Sequence, residues 1–280
     1  MRKYAHICFD MQMSLRDGVR GSYFQEEGMK EFYIDNDGIK LHAKLEVPEG
    51  AQKCPLVIVV HGYTGHMEED HIIAAAEAVK KAGMAALRVE MYGHGKSDGK
   101  FRDHTLYKWV TNMLAVTEYA RGLDFVTDLY LCGHSQGGLL VMLIAGMCPD
   151  RFKAIIPMSP AWMIPEYARK GEFLGTKIDP VNIPDEFTQD EENVLSGNYA
   201  RVAQTIHVED EIARYTGPVL IIHGDEDECV PYEYAEKAEE LYNDAELVTI
   251  KGDDHCYNYH LDQVSDAITQ FLSRMEGTCG

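Results

Sequence analysis

The chain has 280 residues, 45% apolar and 26% charged, the proportions of an ordinary globular protein without fibrous or disordered bias. Its 46 Asp and Glu against 26 Lys and Arg give a formal net charge of −20, which repels phosphate backbones and anionic lipid and argues against nucleic acid or a membrane as partner. The longest apolar run, Leu139 to Ala145, falls far short of the roughly 20 residues that cross a bilayer.

The first 28 residues show no clear period and form an N-terminal segment of uncertain structure. No apolar stretch precedes Asp10, so the start does not read as a secretory signal and the expected location is cytoplasmic. From about residue 30, short β-rich runs alternate with helical patterns. Glu31 to Ile34 and Leu41 to Val47 flank Asp35-Asn36-Asp37-Gly38, a hairpin signal. Pro55 to Val60 is a continuously apolar strand, followed by a helix near His71 to Ala82 that ends at Gly83. Strands at Ala85 to Glu90, Asp128 to Cys132, Ala154 to Met158, Val219 to His223 and Leu247 to Ile250 then interleave with helices near Leu106 to Leu123, Gly137 to Met147, Tyr232 to Tyr242 and Leu261 to Met275. This pattern predicts an α/β fold, a hairpin and six parallel strands in one sheet with helices on both faces.

One connection is too long for a simple crossover: about 57 residues separate Pro160 from Pro218. Residues 161–216 carry Trp162, Tyr167, Phe173, Phe187 and Tyr199 with 11 acidic and 5 basic side chains, and read as a small inserted cap. The core then comprises residues 29–160 and 217–280. Seven scattered cysteines, at 8, 54, 132, 148, 229, 256 and 279, contain no C-x-x-C pair and read mostly as small core hydrophobes.

Gly133-His134-Ser135-Gln136-Gly137-Gly138 follows a strand and opens a helix, the context that a G-x-S-x-G nucleophile elbow requires. Its glycines permit close backbone approach while Ser135 points out at the sheet's C-terminal edge. A serine hydroxyl needs a base and an orienting acid. The strand Val219 to His223 runs into Gly224-Asp225-Glu226-Asp227, where Asp227 is preferred over Asp225 and Glu226 because it lies furthest past the strand end. His255, in Gly252-Asp253-Asp254-His255 after the last strand, is the expected base, with His260 as alternate. The oxyanion requires two amides, one after the nucleophile and one from the loop after the first central strand, which selects Gln136 and Tyr63. His61 is assigned to supporting that loop. His61, His66 and His71 do not share a helix face and no metal or other cofactor is expected. Tyr92-Gly93-His94-Gly95-Lys96-Ser97-Asp98-Gly99 lacks phosphate-loop spacing and reads as a structural turn.

Through His61-Gly-Tyr-Thr-Gly65, Gly93-His-Gly-Lys-Ser97, Gly133-His-Ser-Gln-Gly-Gly138, Gly224-Asp-Glu-Asp227 with Val230-Pro231, and Gly252-Asp-Asp-His255, the chain resembles the α/β-hydrolase superfamily and, within it, the bacterial cinnamoyl (feruloyl) esterases. The resemblance, from about residue 30 to 275, implies an eight-stranded sheet, a Ser135, Asp227, His255 triad, amide donors at Tyr63 and Gln136, and a cap over a pocket for hydroxycinnamate esters. Tyr63 and Trp162 are the candidates for contact with a small-molecule ester bearing an aromatic acyl group. Other readings on this fold are a monoacylglycerol lipase, a thioesterase, a peptidase, or a hydrolase-like receptor without turnover. A homodimer is the commonest assembly to expect.

Overall fold

The computed structural model describes residues 25–26, 29–173, 175–188 and 193–277. The expected hairpin is present, as β2 (Met29–Asn36) and β3 (Ile39–Glu46), after a two-residue strand β1 (Gln25–Glu26). Its loop is Asp37-Gly38, with φ of +53° and +83°, and the Asp35 carboxylate accepts from Gly38 N at 3.1 Å. Positive φ at both loop residues is the requirement of a type I′ turn, which matches the twist of paired strands.

Parallel strands follow: β4 (Cys54–Val60), β5 (Ala85–Val89), β6 (Val126–His134) and β7 (Ala154–Met158). The stretch after β7 carries two small hairpins, β8 (Glu172–Phe173) with β9 (Thr176–Lys177) and β10 (Glu186–Thr188) with β11 (Val194–Ser196). Two further parallel strands, β12 (Val219–Gly224) and β13 (Ala245–Ile250), complete the main sheet. Its order is β1-β2-β3-β5-β4-β6-β7-β12-β13. The eight expected strands are therefore joined by a ninth, β1, which the unpatterned reading of residues 1–28 did not contain. β1 makes only two antiparallel pairings, Gln25 with Lys30 and Glu26 with Met29, too few to give a periodic signal. The rest of that N-terminal segment lies outside the described residues.

Side-chain alternation divides the core into two layers. Leu56, Ile58 and Val60 of β4 face one apolar cluster, and Val57 and Val59 face the other, as a period of two requires. The second cluster is covered by α1 (Asp70–Lys81), through Ile72, Ala76 and Val79, and by the C-terminal helix through Val264, Ile268 and Phe271. The first is covered by α2 (Leu106–Arg121), α3 (Gln136–Met147) and the segment after β7, which contains α4 (Ile164–Lys170), α5 (Asn198–Ala203) and α6 (Val208–Ile212). Then come α7 (Glu233–Leu241), on the first cluster, and α8 (Leu261–Met275), the C-terminal helix. The α2 start is fixed by Thr105, whose hydroxyl accepts from Lys108 N at 3.2 Å. The α3 run Leu139 to Ala145 is buried on all sides, between the sheet and residues 161–216, which explains an apolar helix with no polar face. Among the described residues no helix is long and apolar enough to cross a membrane.

Candidate active site

The C-terminal ends of β4, β6, β12 and β13 all deliver a loop to one end of the sheet. β6 ends at His134, α3 begins at Gln136, and Ser135 between them has φ +56° and ψ −118°. That strained conformation is the sharp strand-to-helix turn expected of a nucleophile elbow. Ser135 N donates to Met158 O at 2.8 Å, and Ser135 O accepts from Leu139 N and Ala161 N, both at 3.0 Å, so the main chain is held on both sides. The flanking glycines are needed for space. A methyl group on Gly133 would stand 2.3 Å from Gly137 O, and one on Gly137 would stand 2.4 Å from His61 O.

The candidate acid and the candidate base meet. His255 Nδ1 lies 2.7 Å from Asp227 Oδ2, while Cys229 N and Val230 N each donate to Asp227 Oδ1 at 2.8 Å. The Asp227 carboxylate is wholly buried. Burial alone would raise its pKa, but hydrogen bonds from His223 and His255, the charge of His255 and the Val230 amide outweigh that and hold it well below the usual carboxylate range. Its rivals do other work: Asp225 Oδ1 accepts from Gly252 N at 2.6 Å, tying the two loops together, and Glu226 is exposed. His260, the alternate base, sits at the start of α8 with Nδ1 3.5 Å from Asp253 Oδ2.

Ser135 and His255 line one cavity of about 310 Å³ together with Gly62, Tyr63, Thr64, Glu69, Ala161, Met163, Ile164, Cys229, Val230 and Cys256. Two larger hollows, about 410 Å³ each, lie against Arg121, Asp128 and Arg151, and against Tyr107, Met147 and His207; neither includes Ser135, Asp227 or His255. Gln136 supplies the first amide of α3, which has no intrahelical acceptor, and Gly62 packs against Ser135, a methyl group there standing 3.1 Å from Ser135 Cβ. The Tyr63 ring packs on Phe101 and Tyr199, with centroids 5.2 and 6.1 Å apart.

His61 takes the supporting role: its Nδ1 donates to Gly62 O at 2.8 Å and its Nε2 accepts from Met91 N at 3.1 Å. Burial holds it neutral, with a pKa well below the usual value. The loop after β5 is likewise structural. Ser97 Oγ donates to Glu90 O at 2.6 Å and accepts from His42 N at 2.8 Å, while Lys96 N donates to the Glu90 carboxylate at 2.6 Å.

Trp162 departs from expectation. It is buried away from the lining of the cavity, and its indole N–H donates to Tyr234 O at 2.8 Å, over α7. Its neighbours Ala161 and Met163 line the cavity in its place. The reason is a partner 72 positions distant in sequence, which satisfies the indole donor away from that cavity.

Several residues near the chemistry have no motif that marks them. His223 Nε2 lies 3.1 Å from both Asp227 Oδ2 and Val230 O, so its N–H is shared between them. His134 donates through Nε2 to His255 O at 2.8 Å, pinning the main chain of the candidate base. The rings of His71, His134 and His255 stand in a row, 4.1 and 4.7 Å between centroids. Burial lowers His71 to about 4 and His134 well below its usual value, so at neutral pH neither places a cation beside His255. Tyr199 OH donates to Gln136 Oε1, joining α5 to the elbow. The fold also gathers ligand atoms of Asp227, Cys229 and His255 within 4.8 Å of one another.

The comparison with solved structures settles the family. Est1E from Butyrivibrio proteoclasticus with ferulic acid bound is 58% identical, covers 88% of this chain and 99% of its own, and superposes with a TM-score of 0.87. The chain is an α/β-hydrolase esterase. Residues 51–185 match the family model for serine aminopeptidase S33, and residues 194–277 that for a TAP-like protein. Human mitochondrial palmitoyl-protein thioesterase ABHD10 is 25% identical over 214 residues, 72% of this esterase and 67% of ABHD10. Monoacylglycerol lipase from Mycolicibacterium smegmatis is 26% identical over 205 residues, 63% of this esterase and 71% of the lipase.

Proposed function

We propose that the protein releases hydroxycinnamic acids from their esters through an acyl-Ser135 intermediate. The observation that carries the substrate class is the 58% identity to a protein with ferulic acid bound, supported by an apolar cavity wall of Ala161, Met163, Ile164 and Val230 beside Ser135. His255 Nε2 takes the Ser135 hydroxyl proton as Oγ bonds to the ester carbonyl carbon. The carbonyl π electrons move onto oxygen, and the Tyr63 and Gln136 amides donate to that oxyanion. Collapse of the tetrahedral adduct breaks the bond to the alkoxy oxygen, which leaves as the alcohol with the proton from His255. Water then repeats the sequence on the acyl-serine and frees the acid. Asp227 remains ionised, holding His255 Nδ1–H and stabilising the imidazolium. No cofactor takes part in these steps.

The test is a comparison of kcat/KM for methyl ferulate, a short alkyl ester, a long-chain monoacylglycerol and a palmitoyl thioester. The reading predicts that methyl ferulate is preferred by at least tenfold. Preference for a long acyl chain with no cinnamate turnover overturns the substrate class. Absence of turnover on all four overturns the hydrolase in favour of a receptor.

A further inference from the structure

We propose that Asp227, Cys229 and His255 form an inhibitory site for a thiophilic divalent cation such as zinc or cadmium. A carboxylate oxygen, a thiol sulfur and an imidazole nitrogen are the ligand types zinc takes, and here the three lie within 4.8 Å of one another. Tetrahedral zinc with bonds of about 2.0–2.3 Å holds its ligand atoms roughly 3.3–3.7 Å apart, so the thiol must approach while the His255 Nδ1 to Asp227 Oδ2 pair, 2.7 Å apart, gives way as its shared proton leaves. The Cys229 side chain can supply its approach because Cys229 is exposed, while its main chain is fixed by the hydrogen bond from its N–H to Asp227 Oδ1. The turn from Asp227 to Val230 spends Oδ1 on two amides, leaving Oδ2 to His255 and His223. Cys229 and His255 line the cavity that holds Ser135, so a hydrated cation entering that cavity meets these two ligands first, with the buried Asp227 carboxylate behind them.

On binding, the Cys229 S–H bond breaks, a sulfur–metal bond forms, and the thiol proton leaves to solvent. Coordination through either imidazole nitrogen removes the base. At Nε2 the metal occupies the lone pair that would take the Ser135 proton. At Nδ1 the metal displaces the ring proton to Nε2, which then has no lone pair to offer. The inhibition rests on the proposed roles of Ser135 and His255, whereas the binding itself does not.

Cadmium is added to the reduced full-length protein, and the thiolate-to-cadmium absorption band and bound stoichiometry are measured. In parallel, zinc inhibition is titrated for each variant against its own metal-free rate. The expected result is one cadmium per chain with a thiolate band. Cys229→Ser and Cys229→Ala lose the band and raise the half-inhibitory zinc concentration at least tenfold, while Cys256→Ser, at the other cysteine of the cavity, keeps both. Asp227→Asn weakens cadmium binding with the thiol intact. Binding unchanged in both Cys229 variants, or lost only in Cys256→Ser, overturns the site. A band lost with Cys229 in a protein without ester turnover keeps the site and removes the hydrolase reading; turnover with a band indifferent to Cys229 does the reverse.

Discussion

Asp227 can do its work only if it stays ionised inside the protein, and the sequence around it supplies the donors that keep it so. The Cys229 and Val230 amides hold one oxygen, and His223 and His255 reach the other. A hydrogen bond to a charged group contributes about 1.5–3 kcal/mol. His223→Leu removes one of these donors at little change in volume, and the expected outcome is a kcat lowered roughly tenfold or more with KM for methyl ferulate little changed. Equal kcat in the variant would mean that the two amides and His255 hold the carboxylate without His223. A second residue-scale case is Tyr199, whose hydroxyl meets Gln136 Oε1 while Gln136 Nε2 is buried without a partner among the described residues. Tyr199→Phe leaves both ends of that amide unsatisfied and is expected to cost about 1–3 kcal/mol of stability, read from urea unfolding.

Among the elements, the turn from β6 to α3 tolerates least. A methyl group on Gly137 meets two main-chain oxygens, His61 O at 2.4 Å and Val60 O at 2.7 Å, neither of which can rotate away. Gly137→Ala is therefore expected to destabilise the fold by roughly 1–3 kcal/mol, the range of an overpacked core site. A melting temperature equal to that of the parent protein would contradict this. This turn was legible from sequence because its chemistry is local: strand, Gly, Ser, Gly, helix. The parallel strands were legible for a related reason, since burial on both faces writes a continuous apolar run such as Leu56 to Val60. What sequence withheld depends on contacts across the chain. Trp162 looked like a substrate contact until Tyr234 O claimed its indole N–H, and His134 was one letter of a motif until it met His255 O. Cys229 looked like one more scattered cysteine, because no spacing pattern reports that a turn will fold it beside His255. β1 escaped notice by being only two residues long.

At the scale of the whole molecule, the buried histidines dominate the acid side of stability. Burial pushes His71 down to about 4 and His104 to about 3, and holds His61 and His134 well below the usual value. In the unfolded chain these groups titrate near 6.5. Between that pH and about 4 the unfolded chain binds protons that the folded one refuses, so stability falls as the pH falls; the displaced proton of His71 alone corresponds to about 3 kcal/mol. Carboxylates with lowered pKa, such as Glu31 at about 2 beside Lys96 and His42, act later: their stabilisation is present above the unfolded value of 4.5 and is lost as the pH falls from there to about 2. The net charge of −20 is relieved mainly in that lower range as well. The urea midpoint is expected to decline steadily from pH 7 to pH 5, and a flat midpoint over that interval would contradict the neutrality of the buried histidines.

The most direct trial of the mechanism is to mix enzyme with excess methyl ferulate, quench in acid within milliseconds to seconds, and weigh the intact protein and its peptides. The expected result is a transient gain of one feruloyl group on the peptide containing Ser135, absent from Ser135→Ala and from unquenched enzyme after substrate is exhausted. Turnover of the ester with the adduct on another residue, or full turnover by Ser135→Ala, would contradict the account.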